Sequence, residues 1–305
     1  MLQSLHFLLT YACTYECDHC FLYCGPNATG TFTIAQIRTV LHEAAAIGTV
    51  RSVYFEGGEA FLFHPILVEG LRLARSAGFR TGLVTNCYWA TSVEDATLWL
   101  APLREAGIDD LRLSDDDFHS GMQQDRPARL AARAAEELGL PSNAIAIERP
   151  SVDSSTCTDR GEAVVGGSVL FKGRAVATLT PELPTRPASE LTACTHEELV
   201  APRRVHLDAL GHVHICQGVS MGNMWQTPLS QLDREYDASS HPICGPLVDG
   251  GPAALARHYG LTLDDEFVDE CHCCYVVRSR LRERFPELLA PPLVYGVEPS
   301  SEPSR

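Results

Sequence analysis

The chain is short of positive charge. Against 39 aspartates and glutamates it carries 24 lysines and arginines, a formal net charge of −15 over 305 residues. A phosphate backbone calls for a basic surface, so nucleic acid is not an expected partner; a negative cleft would favour a cationic one. Long apolar runs are missing too. The run 5–11 is too short to span a bilayer, and no basic flank or cleavage site accompanies it, so a membrane span or secretory signal is not expected there. A cytoplasmic protein away from membranes is the expectation. Disordered composition is confined to the ends, and a hydrophobic content of 45% suffices for a sizeable core. The one residue in excess is cysteine, twelve in all. In a reducing compartment that number points to metal binding or catalysis rather than to disulfides.

Hydrophobic periodicity alternates along the first half. Strands are predicted over 5–10, 51–56, 80–85, 109–114 and 143–148. Helices are predicted over 34–47, 65–77, 93–106 and 126–138, the first opened by Thr33 and each followed closely by a glycine. Repeated strand–helix units imply an α/β fold with a parallel sheet, here a partial (β/α)6 barrel whose reactive residues sit at the C-terminal strand ends. A sixth strand is expected within 168–180. Pro181, Pro184 and Pro187 then mark a linker. Beyond it, 203–208 and 212–216 read as a hairpin, followed by short helices around 228–235, 252–259 and 276–285. The expected organisation is a barrel over 1–185, a small second domain over 186–290 and a loosely ordered tail over 291–305.

Directly after the first strand comes Cys13-Thr-Tyr-Glu-Cys17-Asp-His-Cys20. Three thiolates cannot complete a tetrahedral zinc site alone, although Cys24 or a distant cysteine could supply a fourth. On a [4Fe–4S] cube, three leave one iron open. The second strand ends in Glu56-Gly57-Gly58-Glu59; glycine permits close backbone approach and a carboxylate suits an ammonium. With these two motifs one strand–helix unit apart, the chain resembles radical S-adenosylmethionine (SAM) enzymes. The resemblance implies that Cys13, Cys17 and Cys20 hold a cluster whose open iron binds SAM, with cleavage to a 5′-deoxyadenosyl radical driven by an external one-electron reductant of flavodoxin or ferredoxin type. It implies SAM contacts from Gly57, Gly58 and Glu59, then from Asn86, Ser114 and Ile147 at later strand ends. Ala60 stands where the family often has proline, and His19 where it often has an aromatic.

Five cysteines group further on: Cys194, Cys216 in Gly211-x4-Cys216, and Cys271-His-Cys273-Cys274. This resembles the SPASM/twitch extension of the same family. The resemblance implies an auxiliary [4Fe–4S] cluster on Cys194, Cys216, Cys271 and Cys274, with Cys273 as alternate for the last; a structural four-cysteine zinc site would satisfy the same spacing. Cys24, Cys87, Cys157, Cys244 and Cys273 are left over. Cys244, in the rigid loop His241-Pro-Ile-Cys-Gly-Pro246, could return hydrogen to a carbon from the face opposite the adenosyl radical, with Cys87 as the alternative.

Within the family the chain is similar to aminoglycoside epimerases of the neomycin C to neomycin B type. That resemblance implies inversion of a sugar stereocentre in a small polycationic substrate, with Asp115, Asp116 and Glu148 as candidate amine partners. Oxidation of an aminocyclitol alcohol is the alternative, in which no donor thiol is needed. Peptide modification is a further one, though the first strand starts at Leu5 and leaves no room for an N-terminal peptide-recognition domain. Two cubane clusters predict about eight irons per chain after anaerobic reconstitution, falling to about four when Cys13, Cys17 and Cys20 are replaced together by alanine. Iron analysis checks both values.

Overall fold

The computed structural model describes residues 1–120, 126–153, 164–263 and 265–297. Five parallel strands, β1 (Ser4–Thr10), β2 (Ser52–Gly57), β3 (Arg80–Thr85), β4 (Asp110–Ser114) and β5 (Ser142–Ile145), lie side by side in chain order. The crossovers are α1 (Ile34–Ile47), α2 (His64–Ser76), α3 (Val93–Ala106) and α4 (Pro127–Leu138). This is the α/β, partial-barrel class that the periodicity predicts. Thr33 caps α1 in a capping box with Gln36, satisfying backbone donors the helix cannot. Gly48, Gly107 and Gly139 end their helices in the left-handed conformation, which costs glycine little.

The sixth parallel strand differs from the expectation. Within 168–180 the chain forms a short helix, Arg174–Thr178, rather than a strand. Gly173 interrupts the extended run: its φ is +64°, and its Cα lies so near the Cys20 carbonyl that a Cβ there would be 2.6 Å from that oxygen. The strand that completes the parallel set is β6 (Arg204–Asp208), which pairs with β1 from Ser4↔Arg204 to Leu8↔Asp208. It turns through Gly211 into β7 (His212–Cys216), followed by β8 (Val219–Asn223), both antiparallel. One eight-stranded sheet, in the order β8-β7-β6-β1-β2-β3-β4-β5, therefore runs through the boundary expected at 185.

Alternation along these strands separates two environments. Leu5, Phe7, Val53, Phe55, Leu83 and Leu111 face the helices in one fully buried core, where Phe7 stacks on Phe55 at 4.9 Å. The intervening positions face the barrel interior. A second core gathers the C-terminal elements α5 (Cys244–His258, kinked at Gly250 and Gly251) and α6 (Glu270–Leu281) against the cysteine loop. Of the tail expected over 291–305, Leu293, Val294 and Tyr295 pack against this core, and the Tyr295 phenol donates to the Gly218 carbonyl at 2.6 Å. No helix of the described residues is long and apolar enough to cross a membrane.

The β6–β7 turn is tied to β1 by one carboxylate. Asp208, fully buried, accepts from the Tyr11 phenol at 2.9 Å, from His212 Nδ1 at 2.9 Å and backbone N at 3.0 Å, and from His214 Nε2 at 3.2 Å. Burial alone would raise its pKa; the histidine hydrogen bonds outweigh that and hold the carboxyl well below the usual range. A carboxyl lowered by folding stabilises the protein above its unfolded value and loses that contribution as the pH falls below about 4. Asp208→Ala should therefore cost about 3–5 kcal/mol at neutral pH, less in acid, as read by denaturant titration at both.

Candidate active site

The barrel interior opens into a cavity of about 500 Å³. Its upper wall is the loop after β1, which carries Cys13, Cys17 and Cys20. Backbone contacts fix this loop from two sides. From β2, Gly58 N donates to the Thr10 carbonyl at 2.7 Å and Glu59 N to Ala12 at 2.9 Å. From the segment after the fifth strand, Arg174 N donates to the Cys20 carbonyl at 2.9 Å, and its guanidinium to the Cys17 and Cys24 carbonyls at 2.9 and 2.8 Å.

The three thiols differ in chemistry. A hydrogen bond from the Cys24 thiol, with backbone donors from Leu22 and Cys24, outweighs burial and brings Cys20 down to about 6. Burial pushes Cys13 up to about 11 and Cys17 up to about 12. The cavity thus starts with one stabilised thiolate, and a metal centre that supplies positive charge would ionise the other two. His19 supports a ligand here as well: its Nδ1 is buried without a hydrogen-bond partner among the described residues, and burial lowers the ring to about 4, leaving it neutral. These features fit a SAM-binding [4Fe–4S] cluster on Cys13, Cys17 and Cys20.

The residues expected to meet SAM are spread around this mouth. Gly57, Gly58, Asn86, Ser114 and Ile147 line the cavity. Asn86 Nδ2 lies 3.6 Å from Cys13 Sγ and donates to Thr14 Oγ1 at 3.2 Å. Glu59 is 1% exposed and sits behind the wall. Its carboxylate accepts from Phe61 N, Thr85 Oγ1 and Asn86 N at 2.8–3.0 Å, joining the ends of β2 and β3; burial pushes it up to about 7.

The expected amine partners are differently engaged. Asp115 pairs with Arg126 at 3.2 Å and Arg129 at 3.7 Å, and Glu148 is exposed. Asp116 is buried at the cavity, where it accepts from His119 Nδ1 at 2.7 Å and from the Ile147 backbone at 3.1 Å. A carboxylate that the sequence did not single out lies deeper. Glu56, on β2, accepts from His6 Nδ1 of β1 at 3.1 Å and His206 Nε2 of β6 at 2.9 Å, both onto Oε1. Burial is outweighed by these bonds, so Glu56 is held ionised far below the usual range. Tyr54, stacked on His6 at 4.7 Å, and Arg112 continue the interior; both bond Asp110. The signal available in the sequence was alternation: His6, Tyr54, Glu56 and His206 are polar residues on the inward positions of apolar strands.

The C-terminal thiols do not line the cavity, but Lys172, Glu197 and Gln217, close in space or sequence to Cys216 and Cys194, do. Cys271 and Cys274 are one helical turn apart on α6, and Cys194, Cys216 and Cys274 are close enough to influence one another's charge. Cys273 is fully buried, and its first electrostatic neighbour is Cys274, followed by Arg280 and Glu270. Cys244, at the start of α5, joins this group. It is fully buried, its backbone N donates to His241 Nδ1 at 3.0 Å, and its electrostatic neighbours are Tyr236, Cys216, Cys274 and Cys194; it does not line the cavity. Cys87 is also fully buried and bonded to the Thr85 carbonyl, while Cys157 lies outside the described residues. A larger, more open depression of about 740 Å³ runs past Cys194 and Leu199, away from the first three cysteines.

Comparison with known proteins agrees with this geometry. Residues 7–136 match the radical SAM superfamily. Among curated proteins, the putative peptide biosynthesis protein YydG of Bacillus subtilis (strain 168) is 26% identical over 108 residues, 35% of this chain and 34% of YydG. The match spans about a third of that relative's length. A crystal structure of BtrN in complex with AdoMet and 2-DOIA aligns over 77% of this chain and 83% of its own, with a TM-score of 0.51 and 13% identity, which shows a shared fold.

Gly58 has no room for a side chain, since a Cβ would lie 2.1 Å from the Ala12 carbonyl oxygen. Gly58→Ala should displace the cysteine loop, lower stability by about 1–3 kcal/mol, and reduce iron bound at the first three cysteines. Thermal unfolding and iron analysis of the reconstituted protein read the two effects.

Proposed function

From a chain that carries a radical SAM domain over residues 7–136, we propose an epimerase that inverts one carbon of a small amine-bearing sugar, an aminoglycoside of the neomycin C to neomycin B type. The bound cluster and SAM together would supply the carbon radical that takes hydrogen from a C–H bond. The chain's own residues do the rest. Glu56 is the carboxylate suited to the substrate ammonium: two imidazole hydrogen bonds already hold it ionised, both on Oε1, and Oε2 has no hydrogen bond among the described residues. Cys244 is the proposed hydrogen donor.

The observation that carries inversion is the company Cys244 keeps. A thiol that gives up a hydrogen atom is restored by one electron and one proton. Cys244 has Cys216, Cys274 and Cys194, the expected holders of an electron source, as electrostatic neighbours, together with the Tyr236 phenol, which donates to the Leu199 carbonyl at 2.6 Å. The same burial favours a second reading, oxidation of an aminocyclitol alcohol, because Cys244 lies outside the cavity lining. In that reaction the substrate radical loses an electron and a proton, and no donor thiol is involved.

Anaerobic incubation with SAM, a low-potential reductant and neomycin C in heavy water separates these outcomes. Inversion gives a product of otherwise unchanged mass carrying one solvent deuterium, and Cys244→Ala stops it while 5′-deoxyadenosine still forms. A product lighter by two hydrogens, formed equally by the Cys244→Ala protein, overturns inversion in favour of oxidation. Glu56→Gln, which keeps shape but removes charge, should raise KM about tenfold to a hundredfold with little change in kcat, the worth of one charge-assisted hydrogen bond.

A further inference from the structure

Two buried cations face the C-terminal thiols. Lys172 is 2% exposed and Arg278 is 1% exposed. The Arg278 guanidinium is surrounded by the Cys274 and Gln217 carbonyls, the Tyr295 phenol and the Cys274 sulfur, and no carboxylate pairs with it among the described residues. Lys172 Nζ donates to Gln217 Oε1 at 2.6 Å, Glu197 Oε1 at 3.2 Å and Cys216 Sγ at 3.6 Å. Glu197 is shared, because Arg204 also approaches it, at 3.7 Å. Glu197 thus serves Lys172 and the half-exposed Arg204, and Arg278 has no carboxylate among the described residues. Burying positive charge without a counter-ion is costly, and neutral thiols do not compensate it. Thiolates holding a metal centre do, and a cube held by four thiolates is anionic in either oxidation state, so buried cations hydrogen-bonded beside Cys216 and Cys274 suit such a group.

Lys172 has a second face. It lines the substrate cavity with Glu197 and Gln217, and its ammonium lies 5.7 Å from the centre of the Phe21 ring, next in sequence to Cys20. Among the described residues it is the cation that touches both the cavity and a C-terminal sulfur. We propose that Lys172 is a positioning residue that holds the reduction potential of the auxiliary cluster up, by hydrogen-bonding the Cys216 thiolate and placing fixed positive charge against it, so that this cluster is poised to exchange an electron with the cavity side of the protein. The proposal rests on the reading of Cys194, Cys216, Cys271 and Cys274 as an iron–sulfur site. Net charge and hydrogen bonds to sulfur are among the factors that set such potentials. Glu197 works against Lys172, so the two residues should tune the centre in opposite directions.

The test is an EPR-monitored redox titration of the full chain with Cys13, Cys17 and Cys20 replaced by alanine, which leaves the C-terminal cluster as the sole signal. In that background Lys172→Met should shift the midpoint potential to more negative values, Lys172→Arg should restore it toward the parent, and Glu197→Gln should shift it to more positive values. Opposite signs from the two neighbours exclude general loosening, which would admit water in both variants and move both the same way. If Lys172→Met does not fold, Lys172→Gln, which also removes the charge, takes its place with the same expected shift. Equal potentials across the folded variants overturn the role of Lys172 while leaving the cluster assignment intact. A parent protein that binds no iron, or binds zinc alone, overturns the cluster assignment and this proposal with it.

Discussion

The site depends on the close approach of the β2 end to the cysteine loop. Gly57 and Gly58 lie so near the Thr10 and Ala12 carbonyls that any Cβ would collide with them. That contact sets the height of the loop over the barrel, and Arg174 pins it from the other side through the Cys17 and Cys24 carbonyls. Eight residues with three thiols would otherwise be a mobile connection. Held this way, the thiols share one wall of the cavity, and Asn86 and Glu59 are drawn in through the ends of β2 and β3. Geometry here is bought by the absence of side chains, which is why two glycines outweigh the carboxylate that follows them.

Electrostatically the interior is organised by layers. A carboxylate held by two imidazoles lies deep in the barrel, a stabilised thiolate lies at its mouth, and cations line the side nearest the C-terminal thiols. Each charged group is hydrogen-bonded, as buried charges must be. The strongly acidic composition is therefore a poor guide to the cavity: its surplus lies on the exterior, whereas inside, arginines and a lysine are as prominent as carboxylates.

Much of the fold was legible because local rules and tertiary structure agree in the first half. Helix α1 begins after Thr33 and stops at Gly48, and α3 ends at Gly107, as their caps require. The three cysteines and Gly57-Gly58 were legible through contiguous motifs. What was not legible depends on partners distant in the chain. An apolar run at 168–180 resembles a strand until Gly173 must fit against the Cys20 carbonyl. The segment 204–208 reads as half of a hairpin, which it is, but nothing local says that it also pairs with β1. Glu56 reads as part of a glycine motif until His6 and His206 converge on it from two other strands. Lys172 and Arg278 look like ordinary surface cations, and only burial beside sulfur gives them meaning.

That β1–β6 pairing has a consequence for how the protein can be divided. Were the chain cut at the proline-rich linker, β1 would become an edge strand, with the backbone groups that now bond residues 204–208 left bare. Tyr11 would lose Asp208, and Glu56 would lose one of its two imidazoles. The N-terminal portion is thus no free-standing module to which a metal-binding appendage was attached. It is a sheet whose first strand is completed by the last parallel one, so assembly of the mouth that carries Cys13, Cys17 and Cys20 awaits the arrival of the sequence that carries the second set of thiols.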